Sequence, residues 1–311
     1  MKILFVWSGL TGYMGAGWRR LSEKAELKVS VDVGEKTFGG RFQAEKVMAG
    51  IDWSDRLPEG WRPDVVFVVG WHNPLCVSAA KRRWGKDVKL VFCFDMPWRA
   101  NLRCVLAKFL LWPYLRRFSA ALVSGQSASR YAKWLGFRDI YQGVYNIDVA
   151  RFADVAKTTQ NRKGFLFVGR KVMDKGIDVL KRAYDHYRRD GGQWELTIPE
   201  WIDPDDVPRV MARYACLILP SRWEPWGVVV LEAKAAGMKV LVSDRVGARL
   251  DVLVDGVFRS GDVLGLAGLM KQAEEGTLAT TSSDVSFWDC ETWSNRVMSI
   301  AKDMMTKRSS R

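Results

Sequence analysis

Short apolar runs, each followed by a longer amphipathic stretch, recur along the whole chain and confine it to an α/β architecture. Residues 2–7, 27–33, 65–69, 90–94 and 120–124 read as strands. The run 65–69, Val-Val-Phe-Val-Val, is bounded by Pro63-Asp64 and Gly70 and holds no residue suited to water. That is the composition of a parallel strand covered on both faces. Helix-length segments at 13–25, 74–84 and 101–118 lie between the runs. The alternation restarts after Phe152, with strands expected at 165–168, 194–198, 217–219 and 240–243 and helices at 178–189, 207–214 and 229–236. Residues 153–163 are polar and lack apolar periodicity, as a linker does. The expected organisation is two doubly wound α/β domains with a cleft between them, at residues 1–152 and 164–287. A tail at 288–311 follows, with Trp293, Val297 and Ile300 on one side of an amphipathic helix. A chain of 311 residues has room for two domains of about 150 each.

In open α/β sheets ligands bind at the carboxyl ends of strands, so chemistry is sought in the turns that follow them. Gly9, Gly12, Gly15 and Gly17 follow the first strand and open a helix. Their spacing is not the dinucleotide fingerprint; it suits backbone approach to an anion and a plain tight turn equally. In the second half, Phe167-Val168-Gly169-Arg170 is followed by Lys175-Gly176, which sets two cations beside a strand end. Fixed cations there suit a departing diphosphate, or form a solvated basic turn. The loop 219–227 is dense in Pro and Trp and holds Glu224 just before a helix; Glu232 lies eight residues further on, within the apolar stretch 228–233. A carboxylate in such a stretch is costly to bury without a partner, and either an arginine or the two hydroxyls of a ribose can serve.

Glu224 through Glu232 resembles the E-x7-E motif of retaining GT-B glycosyltransferases, glycosyltransferase family 4 in particular. Phe167–Arg170 with Lys175-Gly176-Ile177 is similar to that family's phosphate-binding segment. The stretch from Ala236 to Val240, with Ser243 and Gly247, is similar to the strand and loop after its motif helix. Asp255-Gly256 and Gly261-Asp262 also fit, as does Gln142-Gly143-Val144-Tyr145-Asn146-Ile147-Asp148 with Phe152 as the segment between its domains. The likeness is fullest from about residue 140 to 300. It implies a GT-B fold, two tandem Rossmann-like doubly wound domains facing across a cleft, with the tail helix packing back on the first. It implies transfer with retention, no cofactor and no bound metal, from a UDP-, GDP-, ADP- or dTDP-sugar. By resemblance Arg170 and Lys175 hold the diphosphate and Glu232 the ribose, while Glu224 contacts the transferred sugar. The Gly227 and Val228 amides lie close to sugar or phosphate, Gly12 joins the donor-binding set, and Glu200 falls near the base-recognition loop. Asp205-Asp206 lies between Pro204 and Pro208, far from the motif, and no DxD stands in a suitable place.

Many family members carry a histidine after a strand of the first domain; here the corresponding polar residue is Asp95, in Phe94-Asp95-Met96-Pro97. Asp95 suits contact with a sugar hydroxyl or acceptor, or a cap on the next helix. His72, in Gly70-Trp71-His72-Asn73-Pro74, suits contact with acceptor or donor sugar, or a capping role. His186 sits in a polar helix and receives no role.

The net charge of +13 is uneven: residues 1–150 carry 23 Lys and Arg against 13 Asp and Glu. Between Lys81 and Arg138 the cations face only Asp87 and Asp95, which favours an anionic partner. Residues 81–118 mix these cations with Trp, Phe and Leu, the composition of a helix lying on an anionic membrane surface, or of a core helix with a solvated face. The band carries no nucleic-acid motif and is broken by long apolar runs, so no nucleic acid is expected. The five scattered cysteines suit buried thiols in a reducing compartment. The first apolar run is too short for a signal peptide and none is long enough to span a bilayer, so a cytoplasmic place is expected, peripheral on the inner membrane face. The expected function is transfer of a sugar to a glycan or lipid-linked acceptor in cell-envelope polysaccharide or lipopolysaccharide synthesis. The alternatives are a non-enzymatic basic binding protein for membrane or nucleic acid, and another GT-B enzyme such as a nucleotide-sugar epimerase.

Overall fold

The computed structural model describes residues 1–9, 12–32, 40–82, 84–85, 87–99, 101–159, 161–279 and 284–307, with the backbone alone for 40–43 and 103. The chain divides into two compact units, Met1–Ile147 with Phe287–Arg311, and Asp148–Ser286.

The first unit contains β1 (Lys2–Ser8), α1 (Gly12–Ser22), β2 (Glu26–Asp32), α2 (Gly40–Val47), β3 (Trp53–Ser54), β4 (Val65–Val69) and α3 (Pro74–Lys81). It continues with β5 (Lys89–Phe94), α4 (Leu102–Leu110), α5 (Trp112–Leu115), β6 (Ala120–Val123), α6 (Gln126–Leu135) and β7 (Ile140–Gln142). The strands form one parallel sheet in the order β3-β2-β1-β4-β5-β6-β7. The apolar runs are continuous because alternate residues feed different cores. Ile3, Phe5 and Trp7 join Met14, Trp18 and Leu21 of α1 on one face. Leu4 and Val6 face the other way, with Cys76, Phe92, Phe118 and Tyr131.

The second unit contains α7 (Val149–Lys157), β8 (Phe165–Leu166), α8 (Ile177–Arg189), β9 (Leu196–Thr197), α9 (Val207–Met211), β10 (Cys216–Leu219), α10 (Val229–Ala235), β11 (Lys239–Ser243), β12 (Gly256–Phe258) and α11 (Val263–Glu275). Its five strands are also parallel, in the order β12-β11-β10-β8-β9. Lys234 of α10 and Asp255 form a buried ion pair at 3.0 Å, and the same carboxylate accepts from the Val240 amide at 2.7 Å. This ties α10 to the start of β11, with the charge on each side neutralised by its partner.

The last helix, α12 (Cys290–Thr306), returns to the first unit. Trp293, Val297, Ile300, Ala301 and Met304 enter the core that holds Phe5 and Trp18, and the Trp293 indole donates to the Val144 carbonyl at 3.1 Å.

Two of the expected segments take a different form. The helix expected at 101–118 is two helices meeting at Leu111, because Pro113 has no amide to donate back to Phe109. The stretch 153–163, read as linker, opens inside α7. Asp148 caps that helix by accepting from the Arg151 amide at 3.1 Å, and Phe152 is buried. All five cysteines are buried and none is in a disulfide.

Candidate functional site

In the second unit the loops after β8 and β10 are clamped together. Gly176 has φ +66°, and a Cβ there would stand 2.1 Å from the Pro220 carbonyl oxygen, so only glycine permits this approach. Arg222 donates its amide to Asp174 at 2.7 Å and its guanidinium, in two parallel bonds of 2.6 Å, to Asp178. That fork holds the Asp178 carboxyl down at about 2. The clamp brings Lys175, at the end of a short 3-10 turn, beside Glu224, and the two side chains form an ion pair. They are 15% and 12% exposed.

Glu224 is positioned by its own backbone, which donates to Arg245 at 3.3 Å and accepts from Gly247 at 3.1 Å. Gly247 is another forced glycine, since a Cβ would lie 2.1 Å from the Pro225 carbonyl oxygen. Trp226 is buried and donates its indole N–H to Asp251 at 3.0 Å. Gly227, at φ +102°, then turns the chain into α10, whose first turn has no side-chain cap at Val228. The N-terminal amides of such a turn face outward with a favourable dipole for negative charge.

Glu232 lies on α10 between buried Leu231 and Ala233 and is itself partly buried. Desolvation pushes its carboxyl up to about 7, and the one charge that opposes this is Arg151. Arg151 is engaged with Asp205, at 2.9 Å to the carbonyl and 3.0 Å to the carboxylate. The Glu232 carboxyl makes no hydrogen bond or ion pair among the described residues. Arg170 is exposed at the β8 end of the same unit. Glu200 is exposed and paired with Lys171.

In the first unit, Asp95 follows β5 and His72 follows the neighbouring β4, at the carboxyl edge of the sheet. Burial raises the Asp95 carboxyl, which accepts from the Tyr145 hydroxyl at 2.6 Å. Asp95 does not cap the next helix; Asn101 does, accepting from the Cys104 amide at 2.9 Å. His72 is exposed and is not a cap either, because Asn73 fills that position on α3, accepting from Leu75 and Cys76. Gly12 is the first residue of α1, and residues 10 and 11 of its turn lie outside the described residues. Gly15 and Gly17 are packing glycines: a Cβ on either would stand 2.5 Å from Val47 or Asn146. Tyr145, Arg151 and the Arg222–Asp178 fork were not foreseen, since no local spacing links them to their partners.

Residues 195–277 match the family model described as glycosyl transferases group 1. The matched stretch holds Glu224 and Glu232, whereas Arg170 and Lys175 precede it. Among curated relatives, an uncharacterized protein of the cps region of Klebsiella pneumoniae is 26% identical over 148 residues, 47% of this chain and 34% of that protein. An uncharacterized glycosyltransferase of Methanocaldococcus jannaschii is 28% identical over 117 residues, 30% of each chain. The alignments thus span about a third of those relatives' length. HepE of Anabaena, crystallised with UDP-glucose, superposes with a TM-score of 0.71 at 16% identity, covering 97% of this chain and 100% of its own. The chain therefore has the GT-B fold.

Proposed function

We propose that the chain is a retaining, family 4 glycosyltransferase that moves a sugar from a nucleoside-diphosphate sugar to a glycan or lipid-linked acceptor in cell-envelope polysaccharide synthesis. The observation that carries the reading is Glu232, a desolvated carboxyl without a hydrogen-bond partner among the described residues, in the unit that also holds Arg170 and Lys175. A ribose offers two adjacent hydroxyls, which one carboxylate accepts together. Arg170 and Lys175 hold the diphosphate. As the anomeric carbon–oxygen bond breaks, its electron pair moves onto the phosphate oxygen; the acceptor hydroxyl oxygen bonds the anomeric carbon and its proton passes to the departing diphosphate, while these fixed cations stabilise the growing charge without a bound metal. Glu224 accepts from hydroxyls of the transferred sugar, and the Gly227 and Val228 amides and the Gly12 turn take part in donor binding. Asp95, held by Tyr145, and His72 act on the sugar or the acceptor. The likeness to HepE crystallised with UDP-glucose supports a nucleotide-sugar donor, and the cps-region relative supports a polysaccharide product.

The acceptor side rests on the band 81–118. Leu102, Leu106, Phe109, Leu110 and Trp112 are exposed, and the first four recur at helical spacing on α4. Arg99, Lys108, Arg116 and Arg117 lie in the same segment. Apolar side chains among cations suit the surface of an anionic bilayer, with the protein lying on it. Among the described residues no helix is long and apolar enough to cross a membrane.

A thermal-shift panel of UDP, GDP, ADP and dTDP tests the donor reading: one of them raises the melting temperature, and silence from all four overturns it. Sedimentation with anionic and neutral vesicles tests the surface: the protein pellets with anionic lipid, and recovery in the supernatant with both removes the membrane role.

A further inference from the structure

The ion pair between Lys175 and Glu224 joins the two groups assigned to the two ends of the donor. The geometry points to a competition in which Glu224 and the diphosphate contend for Lys175, so that the site distinguishes an intact nucleotide sugar from the nucleoside diphosphate it leaves behind. This rests on the donor reading above.

The backbones that carry the two side chains are held in place. Lys175 is fixed by Gly176 against Pro220, and Glu224 by its bonds to Arg245 and Gly247. Arg222 is committed to Asp178, and Lys171 to Glu200. With both side chains mostly out of water, separating the pair leaves a partly buried carboxylate uncompensated. A diphosphate that draws Lys175 toward itself causes that separation and adds its own negative charge nearby. An intact donor offsets the loss, because its sugar hydroxyls donate to Glu224. A bare nucleoside diphosphate brings no such donors, so it binds against the full cost of the broken pair and leaves readily after transfer. Glu224 is thus a specificity determinant acting through Lys175 as well as a contact to the sugar.

The test is calorimetric titration of wild type, E224Q, E224A, K175A and K175A/E224Q. The ligands are the nucleoside diphosphate that stabilises wild type most and its glucose conjugate. Coupled neighbouring groups typically change binding by about 2- to 100-fold, so E224Q and E224A tighten the diphosphate by at least about threefold. Neither tightens the nucleotide sugar, so the preference for the conjugate falls. In the K175A background E224Q brings a smaller gain, the relieved repulsion alone. The proposal is overturned if E224Q and E224A leave diphosphate affinity unchanged, if both ligands tighten equally, or if the gain is undiminished without Lys175. A wild type that binds neither ligand overturns the donor reading itself, an outcome distinct from a wild type that binds both with unresponsive variants.

Discussion

Replacing Glu232 by glutamine separates the cost of this side chain to the fold from its use. Its carboxyl is raised from an ordinary 4.5 to about 7 because ionisation must occur out of water. A raised carboxyl is protonated more readily in the folded than in the unfolded chain. Folding is therefore unpenalised below pH 4.5, loses stability as pH rises from there through 7, and bears the full cost above it. The gap corresponds to about 3 kcal/mol at pH 8 and about 1 kcal/mol at pH 5. The glutamine amide has nearly the same shape and no charge at any pH. E232Q is therefore expected to be more stable than wild type by about 3 kcal/mol at pH 8 and by about 1 kcal/mol at pH 5. Urea unfolding at the two pH values, followed by tryptophan fluorescence, measures both differences. The same variant loses nucleoside diphosphate binding, since an amide cannot accept from two ribose hydroxyls as a carboxylate does. A stability difference that is the same at pH 5 and pH 8, or E232Q less stable at pH 8, refutes the account of a desolvated, unpartnered carboxylate.

Arg170→Ala and Lys175→Ala each remove a cation from the proposed leaving-group site and lower turnover by about 100-fold or more; wild-type rates of nucleotide-sugar consumption in either variant contradict their roles. Trp293→Ala empties a fully buried site between α12 and β1 and is expected to cost about 3–5 kcal/mol of stability, read by chemical denaturation. A loss below 1 kcal/mol means α12 is not integral to that core.

The strand at 65–69 was legible because both its faces are covered, leaving an unbroken apolar run. In the second unit the strands expected at 165–168 and 194–198 are longer than those that form. Phe165 and Leu166 pair with Cys216 and Leu217, and pairing stops there although the apolar run continues to Val168. Where a strand ends depends on its neighbour, which sequence does not display locally. Helix α6 passed unread for a different reason: it follows Gly125 and has no side-chain cap to mark its start. At the site, the spacing of Glu224 and Glu232 was readable along one segment. The contact of Lys175 with Glu224 was not, because it follows from Gly176 meeting Pro220, far along the chain. The Tyr145 hydroxyl on Asp95 is likewise a product of tertiary folding, as β5 and the segment after β7 share one edge of the sheet.

The return of α12 has a consequence for the order in which the molecule is made. Phe5 and Trp18 leave the ribosome early, yet their neighbour Trp293 is among the last side chains to emerge. Until then the apolar face that receives it is open to water, and the second unit is already synthesised in full. The beginning of the chain thus waits for its end, so a polypeptide cut short between α11 and α12 keeps residues 195–277 while exposing an unfilled face prone to self-association.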